Sequence, residues 1–439
     1  MAANRHASRP AILQGTPVRR REWPKWPRAD AGTQRHLLDV LHSSKWTLTG
    51  RSERSWSYED RFASAFAKYI GRKYCVPCVN GSAGLTLALL ASGVGFGEEV
   101  IVAGLTWVAC ASSICYVNAI PRIVDVDVDT LCVSVAAVEA AITPRTRAVI
   151  APHMYSGRVD VPALELLCRK RGIVLIEDAS QAHGAKLNGQ RVGSYGNLSI
   201  FSMQQTKLLC SGEGGACLTD DANVATKLEQ LRADGRKRVA EASASDCFPE
   251  MIAAGDVMGR NYCLSEFHAA ILCARLPRLD EENEHRRRNA RRLSTLIAQI
   301  EGVSIGQSDG FESDGAVFYK LPLRLNHEGK AALDPTIAAR ALTTELNLPV
   351  GTLDRPLNNN PLYRPHTSPQ IAALPIAAHL LDPTQFCLPN AWLAWSDRVA
   401  LPHSALLGDE TDLNDIVEAI SRILEWREEL IVFAKACAT

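Results

Sequence analysis

Residues 172–185 read GIVLIEDASQAHGA and residues 197–216 read NLSIFSMQQTKLLCSGEGGA. Each opens on a short apolar run and breaks into polar chemistry at the run's carboxyl end. Runs of this length bounded by turn residues read as strands buried on both faces. The same arrangement recurs upstream in CVPCV, EVIVA and RAVIAP, and downstream in ACLTD. Between them lie helical patterns over Ser57–Ile70, Ser82–Ala91, Val161–Lys170 and Asn223–Asp234. In the first of these, Phe62, Phe66 and Ile70 recur at helical spacing and Gly71 supplies a stop. Strands alternating with helices predict an α/β domain whose mostly parallel sheet lies between helices.

The pattern changes near residue 280. DEENEHRRRNARRL (280–293) places Glu282 four residues before Arg286 and Glu284 four before Arg288, as on a solvated helix whose acids neutralise its arginines. AVFYKLPLRL (316–325) then reads as a strand, and a helix is expected to start near Asp412 and run through IVEAISRILEW. The expected organisation is an N-terminal arm over residues 1–30, rich in Arg, Pro and Trp, and a large domain over 31–280. A connecting helix and a smaller α+β C-terminal domain follow over 281–439.

Composition narrows the function. The chain has 439 residues, 46% of them apolar, with 48 basic and 48 acidic residues. A balanced charge gives no general reason to bind nucleic acid or an anionic membrane. No apolar stretch reaches the roughly eighteen residues of a membrane span, and Arg19–Arg21 are followed by EWPKWP rather than an export segment. Thirteen cysteines, an odd number in no repeating frame, read as reduced thiols of a cytoplasmic protein. Cys75 and Cys78 form a CxxC without a second pair and read as buried thiols, so no metal is expected. DVDVDT (125–130) resembles a calcium loop but has Thr130 and Ala136 where that loop needs Gly and Glu. GVGFGEE (93–99) precedes a strand and reads as a turn rather than a dinucleotide loop.

In an open α/β sheet, ligands bind beyond the carboxyl ends of the strands. Three such ends stand out. In VNGSAGLTLAL (79–89), small residues lead into a helix whose free N–H groups and positive dipole end suit an anion. In GIVLIEDASQAHGA, Glu177 and Asp178 end a buried strand, where a carboxylate needs a partner such as a cationic ring nitrogen or a salt bridge. In the third, Lys207 follows a strand ending at Ser202, in a turn beside glycines. A desolvated amine there can attack a carbonyl. An anion seat, a carboxylate and an amine are the parts that pyridoxal 5'-phosphate needs. His153 and His183 are candidates for substrate contact or for structural hydrogen bonding.

These motifs, in this order over nearly the whole chain from GTPVR (15–19) to ALPHSALL (400–407), resemble the DegT/StrS-type sugar aminotransferases. These are fold-type I pyridoxal-phosphate enzymes. The resemblance implies that Lys207 attaches the cofactor, that Ser82, Ala83 and Ser202 contact its phosphate, and that Trp107 in GLTWVA stacks on its ring. It further assigns Asp178 to the ring nitrogen and Gln181 to the neighbourhood of the ring hydroxyl. Asn261, in GRNYCLSEFHAAI (259–271), would reach the phosphate of a neighbouring subunit, implying a homodimer with shared sites. FSMQQTKLLCSGEGGA and PLNNNPLYRP (356–365) look like the members that aminate scyllo-inosose and 2-deoxy-scyllo-inosose in aminoglycoside antibiotic biosynthesis, with glutamine or glutamate as donor. Cys263, where many relatives acting on nucleotide-linked sugars carry Arg, and HMYS (153–156) in place of HxYG point away from such sugars. A sugar dehydratase or a non-catalytic protein on the same scaffold is disfavoured by Lys207, Asp178 and Ser202 standing together.

Overall fold

The computed structural model describes residues 9–48, 57–238, 251–307, 315–325, 333–369, 373 and 381–437, so the first eight residues of the expected arm lie outside it. At its centre stands a sheet of seven strands: β1 (Tyr74–Cys78), β2 (Glu99–Ala103), β3 (Ile120–Val124), β4 (Thr146–Pro152), β5 (Val174–Asp178), β6 (Leu198–Ser202) and β7 (Gly215–Thr219). Their spatial order is β1-β7-β6-β5-β4-β2-β3. The strands β3, β2, β4, β5 and β6 pair in parallel. Only β7 runs against its neighbours, pairing antiparallel with both β6 and β1.

That reversal has a local cause. Parallel neighbours need a long crossover, whereas antiparallel ones are joined by a turn. The connection from β6 to β7 is the polar turn 203–214, closed by Met203 N–H to Gly214 O (2.7 Å), Gln205 N–H to Gly212 O (2.8 Å) and Ser211 N–H to Met203 O (2.9 Å). Lys207 rides on this turn at the carboxyl edge of the sheet.

Helices cover both faces, and their ends follow side-chain capping. Ser57 caps α2 (Tyr58–Ile70), which stops at Gly71 in the left-handed region. Asn80 caps α3 (Gly81–Ala91) and Asp160 caps α6 (Val161–Arg171). One core gathers Ile101, Ile150 and Ile176 of the sheet with α4 (Ala109–Tyr116) and α6. A second packs Phe62 and Phe66 of α2 on Phe201 and Leu218.

A third core lies under a four-stranded antiparallel sheet, β8 (Ser304–Ile305), β9 (Lys320–Arg324), β11 (Arg398–Pro402) and β10 (Gly351–Thr352) in spatial order. It joins Leu293 and Ile297 of the long helix α9 (Leu279–Ile297) to Leu321, Leu323, Ile416 and Ile420. The last two belong to α12 (Glu410–Glu425), which a capping box between Asp409 and Asp412 initiates. Not all of the later chain stays with this core. Leu353, Leu357, Leu388 and Ala394 pack into the core of the large sheet.

The expectation of a solvated helix over 280–293 is corrected. Glu282 and Arg286 are buried, and Arg286 sits under the ring of Trp26, 5.0 Å from its centroid. Glu284 pairs with Arg287 rather than Arg288. The charged pattern marks a helix whose one face is closed by the arm, and a single-helix reading cannot see that cover.

The arm itself is pinned to the C-terminal helices. The Arg19 guanidinium lies 2.7 Å from both Asp412 and Asp415 and stacks 3.7 Å over Trp23, almost entirely out of water. Glu345 accepts the backbone N–H of Val18 at 3.0 Å and receives Arg422 at 3.1 Å. Removing one partner of a buried pair strands the other charge at a cost of about 3–5 kcal/mol. Arg19→Met is expected to lower unfolding stability by about 3 kcal/mol in a denaturant titration. A loss under about 0.5 kcal/mol would show that Arg21, 2.8 Å from Asp412, carries the contact instead.

Candidate active site

The carboxyl ends of β4, β5 and β6, the start of α3 and the entry to β9 enclose a cleft of about 470 Å³, within the usual size range of small-molecule sites. Lys207 projects into it, with Nζ 4.3 Å from the centroid of the Tyr319 ring. Its turn is braced from two sides. Tyr319 Oη lies 3.1 Å from Thr206 Oγ1, and His403 Nε2–H donates to Thr206 O at 3.0 Å. Burial, then Arg286, pushes the His403 pKa well below the usual range, so the ring is neutral and Nε2 bears the proton of that bond. Trp26 of the arm packs edge-on against His403 at 4.7 Å and donates Nε1–H to Gln205 O at 3.1 Å.

The end of β5 divides two carboxylates between two tasks. Glu177 is fully buried and accepts from Gly193 N–H (2.8 Å), Tyr195 N–H (3.1 Å) and His153 Nε2–H (3.0 Å). Since Val159 N–H donates to His153 Nδ1 at 3.1 Å, both nitrogens of that ring are engaged. Asp178, the next residue, faces the cleft. Its Oδ1 accepts Ser180 N–H at 3.0 Å and its Oδ2 accepts the Cys110 thiol at 3.2 Å. Burial, then the charge of Asp178, raises the Cys110 pKa well above normal, which keeps that thiol protonated as a donor.

At the third strand end, Asn80 Oδ1 accepts Ala83 N–H at 2.8 Å, and the first intrahelical bond runs from Gly84 N–H to Asn80 O. The N–H groups of Gly81 and Ser82 precede that bond and are not used by the helix. A Cβ on Gly81 would lie 2.7 Å from Ser202 Cβ, and one on Gly215 would lie 2.5 Å from the Asn80 carbonyl carbon. Glycine at both places lets the helix start, β6 and β7 close into one concave seat.

Of the residues singled out in the sequence, Ser82, Trp107, Asp178, Gln181, Ser202 and Lys207 line this cleft. Trp107 is half exposed, and Gln181 Oε1 accepts Tyr155 N–H at 2.7 Å. Ala83 and Asn261 are not on the cleft wall. The Ala83 amide is taken by the cap, and Asn261 is exposed beside its bridge to Ala233. His153 borders the cleft, bound to Glu177. His183 is buried behind it against Phe201, 5.2 Å between ring centroids. Sequence reading missed Cys110, Tyr319, Lys320 and Asp354, which also line the cleft. Tyr155 Oη donates to Asp354 Oδ2 at 2.8 Å and accepts Asp354 N–H at 2.8 Å.

The donor set suits pyridoxal phosphate. Two amides unused by the helix and the Ser202 hydroxyl surround a seat that a side chain would fill, an amine stands on the adjoining turn, and a doubly hydrogen-bonded carboxylate faces the same space.

Residues 27–421 match the model of the DegT/DnrJ/EryC1/StrS aminotransferase family. The chain is 44% identical over 420 residues to the L-glutamine:2-deoxy-scyllo-inosose aminotransferase of Streptoalloteichus tenebrarius, covering 96% of this chain and 98% of that one. It is 43% identical over 415 residues to the L-glutamine:scyllo-inosose aminotransferase of Streptomyces griseus, with coverage of 94% and 97%. Among solved structures, 3-amino-5-hydroxybenzoic acid synthase superposes with a TM-score of 0.76 at 29% identity, over 91% of this chain and 98% of its own.

The buried histidine has a consequence for pH. Burial, then the charge of Lys207, lowers the His183 pKa to about 3, against about 6.5 unfolded. The unfolded chain therefore binds the extra proton between these values. The stability this ring contributes is fully present above about pH 6.5 and is lost as pH falls toward the folded value, at about 1.4 kcal/mol per pH unit. Denaturant midpoints between pH 6 and 4 are expected to fall less steeply for His183→Asn than for the wild type. Parallel profiles would show that His183 is not held neutral.

Proposed function

The chain belongs to the DegT/DnrJ/EryC1/StrS aminotransferase family, and we propose that it moves the amino group of L-glutamine, or glutamate, onto a keto-cyclitol in aminoglycoside biosynthesis. The acceptor is a ketone of the scyllo-inosose or 2-deoxy-scyllo-inosose type. The observation that carries this reading is the convergence of Lys207, Asp178 and the Gly81–Ser82–Ser202 seat in one cleft. The substrate follows from near-full-length similarity to relatives that bear those activities in their names.

The cofactor in this reading is pyridoxal phosphate, which when bound supplies an electron-accepting ring that stabilises negative charge on the reacting carbon. Lys207 would attach it, and its amine would carry the proton to and from the donor's Cα. Asp178, oriented by Cys110 and Ser180, would keep a proton on the ring nitrogen. Ser82, Ala83 and Ser202 would serve the phosphate, Ala83 through the turn it helps to form, while Trp107 would face the ring and Gln181 would serve its hydroxyl. Tyr319 and the Thr206–His403 bond keep the amine at the cleft.

Asn261 serves the phosphate site of a second copy in a homodimer, and its exposed position outside its own cleft supports that role. The division into arm, 31–280 and 281–439 belongs to the same reading, with the separate core around α9, β9 and α12 in its favour. A cytoplasmic location is supported by the free thiols among the described residues, from Cys75 to Cys387.

The purified enzyme is expected to show a visible cofactor absorption band that Lys207→Ala abolishes. A colourless wild type that stays colourless with added pyridoxal phosphate would falsify the cofactor assignment. Turnover with L-glutamine is expected for scyllo-inosose or 2-deoxy-scyllo-inosose. Turnover of a nucleotide-linked 4-keto sugar alone would overturn the acceptor and leave the chemistry intact. Mixed Lys207→Ala and Asn261→Ala subunits are expected to regain activity through one intact composite site per hybrid dimer. No recovery on mixing would count against shared sites.

A further inference from the structure

We propose that Lys320 holds the α-carboxylate of the amino donor, making it the residue through which one cleft accepts two unlike substrates. This rests on the transaminase reading above. The cleft must receive an amino acid and then a ketone, and the two differ most in charge: the donor carries a carboxylate and the cyclitol carries none. A carboxylate brought into a cleft without a counter-charge loses its hydration uncompensated.

The cationic side chains on the cleft wall are Lys207 and Lys320, and the acidic ones are Asp178, Glu213 and Asp354. Lys207 is committed to the cofactor. That leaves, among the described residues lining the cleft of one chain, the Lys320 ammonium as the positive charge available to substrate. Among the described residues it has no hydrogen bond or ion pair, unlike Asp178, whose two oxygens accept from Cys110 and Ser180, and Asp354, whose Oδ2 accepts from Tyr155. Its surroundings are aromatic, with Nζ 5.8 Å from the ring centroids of both Tyr155 and Tyr319.

Position supports the assignment. Lys207 Nζ lies over the same Tyr319 ring, 4.3 Å from its centroid. The reactive amine and the spare ammonium therefore flank one ring. In an α-amino acid the nitrogen and the carboxylate are separated by a single carbon, so a donor reacting at the Lys207 end keeps its carboxylate on the wall that Tyr319 and Lys320 share. Lys320 is also firmly mounted. It opens strand β9 opposite Pro402 of β11, and the preceding residue, Tyr319, donates its N–H to Tyr155 O at 3.1 Å. A cation on a strand is better placed than one on a loop. During the acceptor half of the cycle the same ammonium meets only hydroxyls, which contribute less than a carboxylate.

The test separates the two half-reactions on the holoenzyme by stopped-flow absorbance. For Lys320→Gln, the apparent affinity for L-glutamine is expected to weaken roughly 10- to 100-fold, the effect of one charge-assisted hydrogen bond. The limiting rate of that half and the whole ketone half-reaction should stay within about threefold of wild type on the same reasoning. Lys320→Arg should restore most of the donor affinity. Calorimetric binding of glutarate, a carboxylate that cannot react, should weaken in parallel with glutamine in Lys320→Gln. Glutamine and glutarate affinities within about twofold of wild type, or equal losses in both half-reactions, would overturn the assignment. A wild type that reacts with glutamine but aminates no keto-cyclitol would sink the acceptor reading and leave the donor test standing.

Discussion

The site hangs on two successive carboxylates at the end of one buried strand. Side chains alternate along β5, so Glu177 and Asp178 must face opposite ways. Neither can be buried cheaply without donors. Glu177 meets that demand inside the fold, with two backbone amides and the His153 ring, and in doing so ties the ends of β4 and β5 to the loop 193–195. Asp178 meets only part of it, through a thiol and one amide, and presents the remainder to the cleft. The inward carboxylate fixes the strand end rigidly enough for the outward one to act as a positioned charge.

Around this strand the sheet supplies a frame that brings remote segments together. The turn after β6 carries the amine, the turn after β1 carries the anion seat, and β9 brings Tyr319 and Lys320 from about a hundred residues further along the chain. Antiparallel β7 makes this compact. It returns the chain beside β1, so that Gly215 touches the carbonyl of Asn80 and the two turns share a wall.

Local signals in the sequence were read most reliably where they act locally. The capped ends of α2 and α3, the apolar strands and their polar tips all follow from spacing and turn chemistry over a dozen residues. Six of the eight residues singled out for the site come together because they lie at such tips. What escaped depends on distance through space. Cys110 sits on the short helix α4, and it, Asp354 and Lys320 come from segments with no chemical pattern of their own. Arg286 belongs to a run that looks solvated until Trp26 covers it. Cover of that kind is written in a segment some 260 residues away and has no period to detect.

The arm adds an order in time. Residues 9–26 leave the ribosome more than three hundred residues ahead of the groups that hold them, Glu345, Asp412, Asp415 and Arg422. At roughly 5–20 residues per second, the arm waits roughly 20–80 s for its binding surface to exist. His403, which braces the Lys207 turn and on which Trp26 rests, arrives equally late. A nascent chain can therefore build the sheet and carry its reactive lysine well before that lysine's outer support is in place. The bracing of the amine is synthesised long after the amine itself, and a chain cut short before residue 403 would keep the nucleophile while lacking the bracing that His403 and the docked arm supply.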